Sequence, residues 1–401
     1  MQLVEQHVIR KGDARYDAID QAAFASKNLY NAANYEIRQA FIKEGVYLNY
    51  NQMHQLMKAH PAYQALPRKV SQQVLRTLDK NWQSFFRAMA QWREHPEKFL
   101  GRPSLPKYKD KSRGRNLLIY TVQAISKPVL RQGFIEPSGL SIRIKTTHHN
   151  VDQVRIIPRH GFYVVEVVYT REPVQAEVDP TLYAGIDIGV DNLATLTSNK
   201  KGFVPRIVNG RPVKSINQFY NKRKAELDEK LMKMDAHRRH SHRLERLITT
   251  RTRRINHYLH TASRRLVNLL VKEGIGTLVI GKNPNWKQKV DMGKRNNQQF
   301  VAIPHARFIE MLAYKAELVG IRVIITEESY TSTCSFLDHE PIGRHETYAG
   351  KRVKRGLFRA SDGRLINADV NGSANIIRKV APNAFADGVE GVVVRPVRFC
   401  A

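Results

Sequence analysis

Strand-like and helical patterns alternate through the second half of the chain, and this alternation constrains the fold more than any other feature. Leucines and isoleucines recur there at three- and four-residue steps, which is the spacing of one helix face. Short apolar runs between the helical stretches are typical of buried strands. In chain order, the pattern predicts a strand that closes at Asp187, a strand at 193–197, two helices within 215–272 with a break near 237–241, a strand at 277–280, a helix at 304–318, a strand at 321–325 and a last helix at 372–380. This order predicts an α/β domain.

Three acidic residues, Asp187, Glu328 and Asp369, stand at the ends of strand-like or loop segments of this domain. Carboxylates in such places can hold divalent metals, and paired metals can cleave phosphodiester bonds. Two Mg²⁺ ions about 4 Å apart, or Mn²⁺ in their place, could activate water and stabilise the leaving oxygen. We therefore predict that these three residues bind metal and carry the catalysis, with Asp187 between the two ions.

Small residues beside the acids suggest that a nucleic-acid backbone could come close. Gly185 and Gly189 lie on either side of the first acid. Gly372 and Ser373 follow the third acid at a predicted helix start, where N–H groups can face a phosphate.

Each acid, taken alone, also has a purely structural interpretation. Asp369 could cap the last helix, and the Glu327–Glu328 pair could be a solvated strand end. Asp187 is harder to explain in this way, because strand interiors disfavour Asp and a buried carboxyl needs a partner. The three acids on one α/β frame favour a site.

The charge of the chain indicates its partner. Its 401 residues include 66 Lys and Arg against 36 Asp and Glu, a formal charge of +30 that favours a nucleic acid. No apolar run of about 20 residues predicts a membrane span, and the first residues do not resemble a signal peptide. Two cysteines suggest no disulfide framework. We expect a cytoplasmic, prokaryotic protein.

The first half of the chain has a different pattern. A short strand is predicted before residue 12, and residues 15–95 have helical periodicity with an apolar face. A basic, proline-containing connector follows, which could be a solvated linker or a phosphate-binding segment. Residues 151–157 and 161–169 predict a hairpin. The helical block is therefore predicted to be an insertion between strands of a small β domain, and the whole second half is compatible with an RNase H-like core.

Four motifs together resemble TnpB, the RNA-guided nuclease of bacterial transposons that is related to type V CRISPR effectors. They run from Gly185 to Leu196 (Gly-Ile-Asp-Ile-Gly-Val-Asp-Asn-Leu-Ala-Thr-Leu), from Leu278 to Gln288, from Glu328 to Ser335 and from Asp369 to Ile376. The first strand, the inserted helices and the basic connector also match, so the resemblance covers nearly the whole chain.

The resemblance implies a RuvC-type nuclease domain and a β-rich wedge domain interrupted by a helical recognition domain. It also implies a guide RNA and a double-stranded DNA target cut beside a short transposon-adjacent motif. We expect a monomer and no membrane partner. Base pairing would read the target, and the cationic protein would hold both nucleic acids. The implied boundaries are a wedge strand at 1–12, a recognition domain at 13–112, a wedge β domain at 113–180, a nuclease domain at 181–381 with a helical insertion at 213–275 and a degenerate zinc-finger-like loop at 334–366, and a flexible tail at 382–401.

Two departures from the family pattern matter. Many relatives have the second catalytic Glu where this chain has Gly281. A rearranged subgroup of the family supplies this Glu from a later segment, and Glu328 of this chain matches that position. Glu327 is the alternative, but side-chain alternation should turn only one of the pair inward. Relatives often carry two Cys-x-x-Cys pairs, whereas residues 337–364 here look like a basic hairpin or loop and Cys334 is alone. We expect no structural zinc.

Nucleic-acid contacts are predicted at Trp286 and Lys287, where stacking and charge could hold a single strand, and at Lys107 and Lys109 of the basic connector. A core tryptophan beside a solvated basic loop is an equal alternative for Trp286 and Lys287. Two other functions stay open. A nuclease-dead, RNA-guided repressor is motivated by Gly281, and a transposase by the catalytic range of RNase H-like folds.

Overall fold

A computed structural model of the protein describes residues 1–234, 241–283, 298, 300–386 and 394–401. The chain divides into two compact units, Met1–Arg171 and Glu172–Ala401. Within the described ranges, no helix combines the length and the apolar character that a bilayer span requires.

The first unit contains a β-sheet and a group of helices. Its strands are β1 (Gln2–Arg10), β2 (Leu118–Thr121), β3 (Phe134–Ile135), β4 (Ile144–Lys145), β5 (Val151–Arg159) and β6 (Phe162–Thr170), and its helices are α1 (Tyr16–Glu44), α2 (Tyr50–Met57), α3 (Pro61–Gln64), α4 (Arg68–Glu94) and α5 (Lys127–Arg131). Four strands form an antiparallel sheet in the order β1-β6-β5-β2. The predicted β5–β6 hairpin is confirmed, and it turns at Gly161, whose φ of +78° favours glycine. Helices α1 to α4 lie in sequence between two strands of this one sheet.

The helical block of this unit packs through the apolar face that the sequence predicts. Val70, Val74, Leu78 and Trp82 of α4 are all buried. Helix α4 packs on α1, and the Trp82 indole N–H donates to the Asn34 side chain of α1 at 3.0 Å, so the buried ring leaves no unsatisfied donor.

The basic connector is fixed on α1. The Asn31 side chain pairs with both backbone groups of Lys109, at 2.8 and 2.9 Å. The Asn34 side chain and the Lys27 ammonium donate to carbonyls of Pro106 and Lys111. These contacts join segments about 70–85 residues apart in sequence. The backbone of the connector is therefore anchored to the helix and is not a free linker.

The second unit is an α/β unit around a six-stranded sheet. Its strands are β7 (Asp179–Asp187), β8 (Asn192–Ser198), β9 (Arg206–Asn209), β10 (Ile275–Gly281), β11 (Arg322–Thr326), β12 (Lys351–Lys354), β13 (Leu357–Arg359), β14 (Leu365–Asn367) and β15 (Val397–Phe399), and its helices are α6 (Arg211–Met234), α7 (His242–Lys272), α8 (His305–Glu317) and α9 (Ala368–Val380). The sheet order is β11-β10-β7-β8-β9-β15. Strands β7, β8 and β9 form an antiparallel meander, whereas β10 and β11 run parallel to β7 and β15 runs parallel to β9.

Helices cover both faces of this sheet, and successive residues of β7 point to one face and then to the other. Ala184, Ile186 and Ile188 belong to the core that α7 and α8 complete. Successive strand residues point to opposite faces, so Gly185 and Asp187 face the other side. Helix α9 lies there, and its Ser373 hydroxyl donates to the Gly185 carbonyl at 2.7 Å.

The predicted helix–helix insertion is present as α6 and α7, which pack together. The predicted break at 237–241 lies, except for Ser241, outside the described residues. Ser241 caps α7, and its hydroxyl accepts from the Leu244 N–H.

Residues 337–364 were expected to be a basic hairpin or loop, and they contain the hairpin of β12 and β13, to which β14 adds a third antiparallel strand. Their short, exposed strands lack the apolar alternation that identifies a strand in a sequence. The tail was expected to be flexible, but its residues 397–399 form β15, which pairs with the open edge of β9. Residues 387–393 of the tail lie outside the described residues.

Gly185→Ala should destabilise the second unit. A Cβ at position 185 would lie 2.3 Å from the Ser373 carbonyl oxygen and 2.8 Å from the Ile377 side chain, so α9 would have to move. We expect a loss of about 1–3 kcal/mol, visible as a lower thermal unfolding midpoint of the full chain. Gly343→Ala is the control, because its Cβ would meet nothing within 4 Å. Equal midpoints for the two variants would contradict this packing.

Candidate metal and nuclease site

Asp187 ends β7 at the carboxyl edge of the sheet, on the face that α9 covers. Its carboxyl lies close to the start of α9: a Cβ at Gly372 would come within 3.2 Å of Oδ2. Burial, together with the negative charges of Asp369 and Glu328, raises the pKa of Asp187 to about 8, against the smaller opposite effect of Arg352. The carboxyl is densely surrounded by protein but remains reachable from a cleft. A buried acid among other acids is a site that favours a cation.

Asp369 lies in the first turn of α9, and it does not cap the helix. The cap is Asn367, whose side chain accepts from the N–H groups of Asp369 and Val370 at 3.0 and 3.2 Å. The capping interpretation of Asp369 is therefore wrong, and its carboxylate is available for other partners. The Asn192 amide donates to Oδ2 at 2.5 Å, and an Arg352 N–H lies 3.5 Å from Oδ1.

Glu328 follows β11 and is held by one asparagine. Its backbone N–H donates to the Asn283 side chain at 3.0 Å, and the Asn283 amide donates back to Oε1 at 3.3 Å. The other oxygen, Oε2, is buried and has no hydrogen-bond partner among the described residues. Burial raises the pKa of Glu328, and Lys379 opposes this shift. A buried carboxylate oxygen without a donor costs free energy unless a cation or proton approaches it.

The Glu328 side chain lies where a side chain at position 281 would be. A Cβ built on Gly281 would be 2.8 Å from Glu328 Oε2 and 3.3 Å from Glu328 Cβ. Glu327, in contrast, is exposed and lies 3.9 Å from the Lys379 ammonium. Of the two neighbouring acids, Glu328 is the one that packs toward the sheet.

The three acids come to the same edge of the sheet. Ile186 of β7 is paired with Ile280 of β10, and Gly281 with Thr326 of β11, so the strand ends that carry or support the acids are neighbours. The negative charges of Asp369 and Glu328 both raise the pKa of Asp187, as expected for carboxylates that lie near it. Yet within the described ranges, no three or more His, Cys, Asp or Glu side chains form a group that could hold a metal ion as they stand. The three acids therefore lie at one edge of the sheet, but their side chains do not form a complete coordination sphere.

A cleft of about 460 Å³ opens beside Asp187 and Asp369. Arginines dominate its polar lining, and Asp191 and Asn192 also line it. The arginines are Arg211, Arg352, Arg355 and Arg398. Asp191 is paired with Lys214 and Arg355, and the Lys214 hydrogen bond lowers its pKa, so this acid is already neutralised. Sequence reasoning missed these residues, although the basic character of 337–364 indicated two of the arginines.

The glycines and the serine near the acids have a packing role that the sequence did not predict. Gly185 admits α9 to the sheet, and Gly372 leaves room for the Asp187 carboxyl. Gly372 and Ser373 are both buried. The expectation that Gly185, Gly372 and Ser373 would face a nucleic-acid backbone is therefore wrong. Helix α9 covers Gly185, and Gly372 and Ser373 of that helix face Asp187 and Gly185.

The other predicted nucleic-acid residues fall in different parts of the chain. Trp286 and Lys287 lie outside the described residues. Lys107 is exposed, whereas Lys109 is half-buried with its ammonium 5.1 Å from the centre of the Tyr30 ring. Burial lowers the pKa of Lys109. Lys109 therefore contributes to packing of the connector on α1.

Carboxylate, amide and apolar contacts hold the segment in which relatives carry cysteine pairs. Cys334 is buried, and its thiol contacts the Gly343 carbonyl at 3.5 Å. The Glu340 carboxylate accepts from the N–H groups of Ser335 and Ala349 at 2.6 and 2.9 Å. Phe336 and other apolar residues of this segment form a core with α9. These contacts fix the segment on α9; the expected absence of structural zinc stays a prediction.

Comparison with known proteins gives matches along most of the chain. A family profile described as a probable transposase, OrfB_IS605, matches residues 164–287, and the Cas12f1-like TNB domain matches residues 305–376. A TnpB-like protein, ORF457 of Acidianus two-tailed virus, is 24% identical over 409 aligned positions, which cover 93% of this chain and 83% of that protein. The CRISPR-associated endodeoxyribonuclease Cas12f2 of Micrarchaeota archaeon (strain CG1_02_47_40) is 27% identical over 246 positions, or 57% of this chain and 43% of that protein.

Among solved structures, a Cas12f1–sgRNA–target DNA complex matches with a TM-score of 0.54 and 14% identity, and the match covers 90% of this chain and 82% of that chain. At this identity the likeness concerns the fold. The predicted combination of an RNase H-like α/β part with β-rich and helical parts is confirmed.

Asp187→Asn should stabilise the metal-free protein, and more so at high pH. Unfolded Asp187 ionises near 3.8, whereas the folded carboxyl keeps its proton up to a pKa of about 8, so its contribution to stability falls as the pH rises between these values. The amide of Asn does not ionise, so the variant does not lose stability in this way as the pH rises. In EDTA, we expect the variant to melt about 3 °C or more above the wild type at pH 8.5, with a smaller difference at pH 5. A pH-independent difference would contradict the burial of this carboxyl.

Proposed function

We propose that the protein is an RNA-guided endonuclease of double-stranded DNA. It is similar to a TnpB-like protein along nearly its whole length and to Cas12f proteins over part of it, in agreement with the resemblance seen in its sequence. The observation that carries the proposal is that Asp187, Glu328 and Asp369 stand at neighbouring strand and helix ends on one edge of an RNase H-like sheet. The protein would cut the DNA next to a short motif in the target, as expected from the resemblance.

The charge of the protein supports a guide RNA and a DNA target as partners. A formal charge of +30 provides the cationic surface that two polyanions require. The matched solved structure is, by its title, a complex with an sgRNA and a target DNA, and the Cas12f2 relative is named an endodeoxyribonuclease. Both points support a similar assembly here.

The residues at the sheet edge fit Mg²⁺. The donor set consists of carboxylate oxygens, the ligands that Mg²⁺ prefers, and Mg²⁺ commonly uses one or two carboxylates with several waters. The buried Oε2 of Glu328 has no described partner, and the Asp187 carboxyl is buried among acids. A pair of carboxylates with a third nearby therefore fits, even without a preformed group of three. When bound, Mg²⁺ would polarise the phosphate and lower the pKa of an attacking water.

The protein itself would hold the ligands and the substrate. Asn192 and Arg352 orient the Asp369 carboxylate, and Asn283 orients that of Glu328. Arg352 is about half exposed in the cleft, so it can also meet a phosphate of the strand to be cut. Hydrogen-bonded carboxylates keep their geometry when the substrate arrives, which favours the reaction.

The position of Glu328 supports the rearranged form of the site. In this form Gly281 is not a loss of the catalytic Glu, since the Glu328 side chain lies in the space above it. The same glycine motivates the second candidate, a nuclease-dead RNA-guided repressor, together with the incomplete group of acids. A transposase is a third candidate, named in the family description. It would join transposon ends without a guide RNA.

Conversion of the acids to amides tests the proposed cleavage. The protein is purified with its RNA, the RNA is sequenced, and the complex is incubated with a matching plasmid and Mg²⁺. We expect Asp187→Asn, Glu328→Gln and Asp369→Asn each to lower the cutting rate by about a hundredfold or more, because each removes a charged ligand. Glu327→Gln is the matched control and should stay within about threefold of the wild type. Tight binding without cutting by the wild type would favour the repressor.

Moving the glutamate from position 328 to position 281 tests the rearranged site. Glu328→Ala should abolish cutting, and adding Gly281→Glu should restore part of it, because a Glu at 281 would start from the space that Glu328 vacates. The gain should be at least about tenfold over Glu328→Ala. Gly281→Glu must also bend around the Ile376 side chain, 2.6 Å from its Cβ. A melting curve therefore accompanies the assay, and a folded double variant with no gain would contradict equivalence of the two positions.

A further inference from the structure

Strand β15 brings a cation to the proposed site from the far edge of the sheet. It pairs in parallel with β9, with Arg398 opposite Ile207. The strand is fixed at both ends: Val397 N–H donates to the Pro205 carbonyl at 2.9 Å, and the Arg265 guanidinium donates to the Cys400 carbonyl at 2.6 Å. Arg398 therefore has a defined place, and its side chain lines the cleft.

The Arg398 guanidinium is the first member of a chain of hydrogen bonds. Its Nη2 donates to Asn192 Oδ1 at 3.0 Å. The Asn192 Nδ2 donates in turn to Asp369 Oδ2 at 2.5 Å. These hydrogen bonds join distant segments, since Asp369 and Arg398 lie 177 and 206 residues from Asn192 in sequence.

The chemistry of the two outer groups fixes the orientation of the amide between them. A guanidinium only donates hydrogen bonds and an ionised carboxylate only accepts them, whereas an asparagine amide has a donor end and an acceptor end. Asn192 satisfies both neighbours in one of its two orientations. In the flipped orientation its carbonyl oxygen would face the Asp369 carboxylate and its NH₂ would face the arginine, so both contacts would be repulsive.

We propose that Arg398 is a positioning residue for Asp369, acting through the Asn192 amide. By holding Asn192 as a donor, Arg398 fixes one oxygen of the Asp369 carboxylate and sets the direction of its remaining lone pairs. This inference rests on the proposed metal-dependent function and adds β15 to the site. Partners of metal-binding carboxylates commonly change metal affinity when they are removed.

The test is a metal titration of the purified full chain without DNA, followed by its thermal unfolding midpoint. A ligand that binds the folded state raises the midpoint according to its concentration and affinity. For Arg398→Met, which keeps the length of the side chain but has no donor, we expect about tenfold weaker Mn²⁺ or Mg²⁺ binding. Arg398→Lys should recover much of the affinity, because an ammonium also only donates.

Two controls separate positioning from general effects. Arg395→Met removes a charge from an exposed residue of the same segment and should leave metal affinity unchanged. In an Asn192→Ala background, Arg398→Met should have little further effect, because the amide through which it acts is gone. A full tenfold loss in that background would show direct action of the arginine and would overturn the relay.

The outcomes distinguish this inference from the proposed function. Equal metal affinity of Arg398→Met and the wild type would overturn the inference alone. A wild-type protein that shows no metal-dependent shift sensitive to Asp369→Asn would overturn the metal-dependent function and the inference with it. Metal binding that depends on Arg398, in a protein that cuts no DNA with its own guide, would leave the inference standing and contradict the nuclease.

Discussion

The close approach of α9 to β7 is the contact on which the proposed site depends. The helix reaches the sheet because Gly185 has no side chain, and the Ser373 hydroxyl bonds to its carbonyl. Gly372 then leaves space for the Asp187 carboxyl at the helix start. Residues at the end of a strand and in the first turn of a helix, 182 positions apart by their numbers (369 − 187), thus come to one edge. Without this packing, Asp369 would have no fixed position relative to Asp187.

A cluster of partly buried acids is unfavourable without a cation, and the structure shows which contacts lower this cost. The raised pKa of Asp187 means that, without metal, this carboxyl holds a proton and so reduces the repulsion among the three acids. Asp369 and Glu328 are each held by an asparagine amide, and Arg352 faces Asp369. The protein keeps charge at this edge at the expense of stability, which is typical of functional sites.

The sequence predicted much of this arrangement, for identifiable reasons. Asp187 stood out because buried isoleucines flank it in a strand, and the hairpin of β5 and β6 stood out because both strands alternate around a glycine turn. Capping by Asp369 remained an alternative because Asn367 and Asp369 are both good capping residues, and only the backbone geometry shows that Asn367 is the cap. The role of Gly185 depends on which face of β7 the helix covers, a tertiary fact that strand alternation alone does not give. Strand β15 is three residues long and exposed, so only the open edge of β9 identifies it. The Arg398–Asn192–Asp369 chain joins distant segments and has no local signal.

Direct observation of the metal tests the central claim that these acids form one cation site. Crystals of the protein grown with Mn²⁺ would give anomalous difference density at the ion. We predict one or two peaks in direct contact with the Asp187 and Asp369 carboxylates, with the Glu328 carboxylate turned toward them. Density elsewhere, or no peak at this edge when the carboxylates are ordered and ionised, would contradict the account.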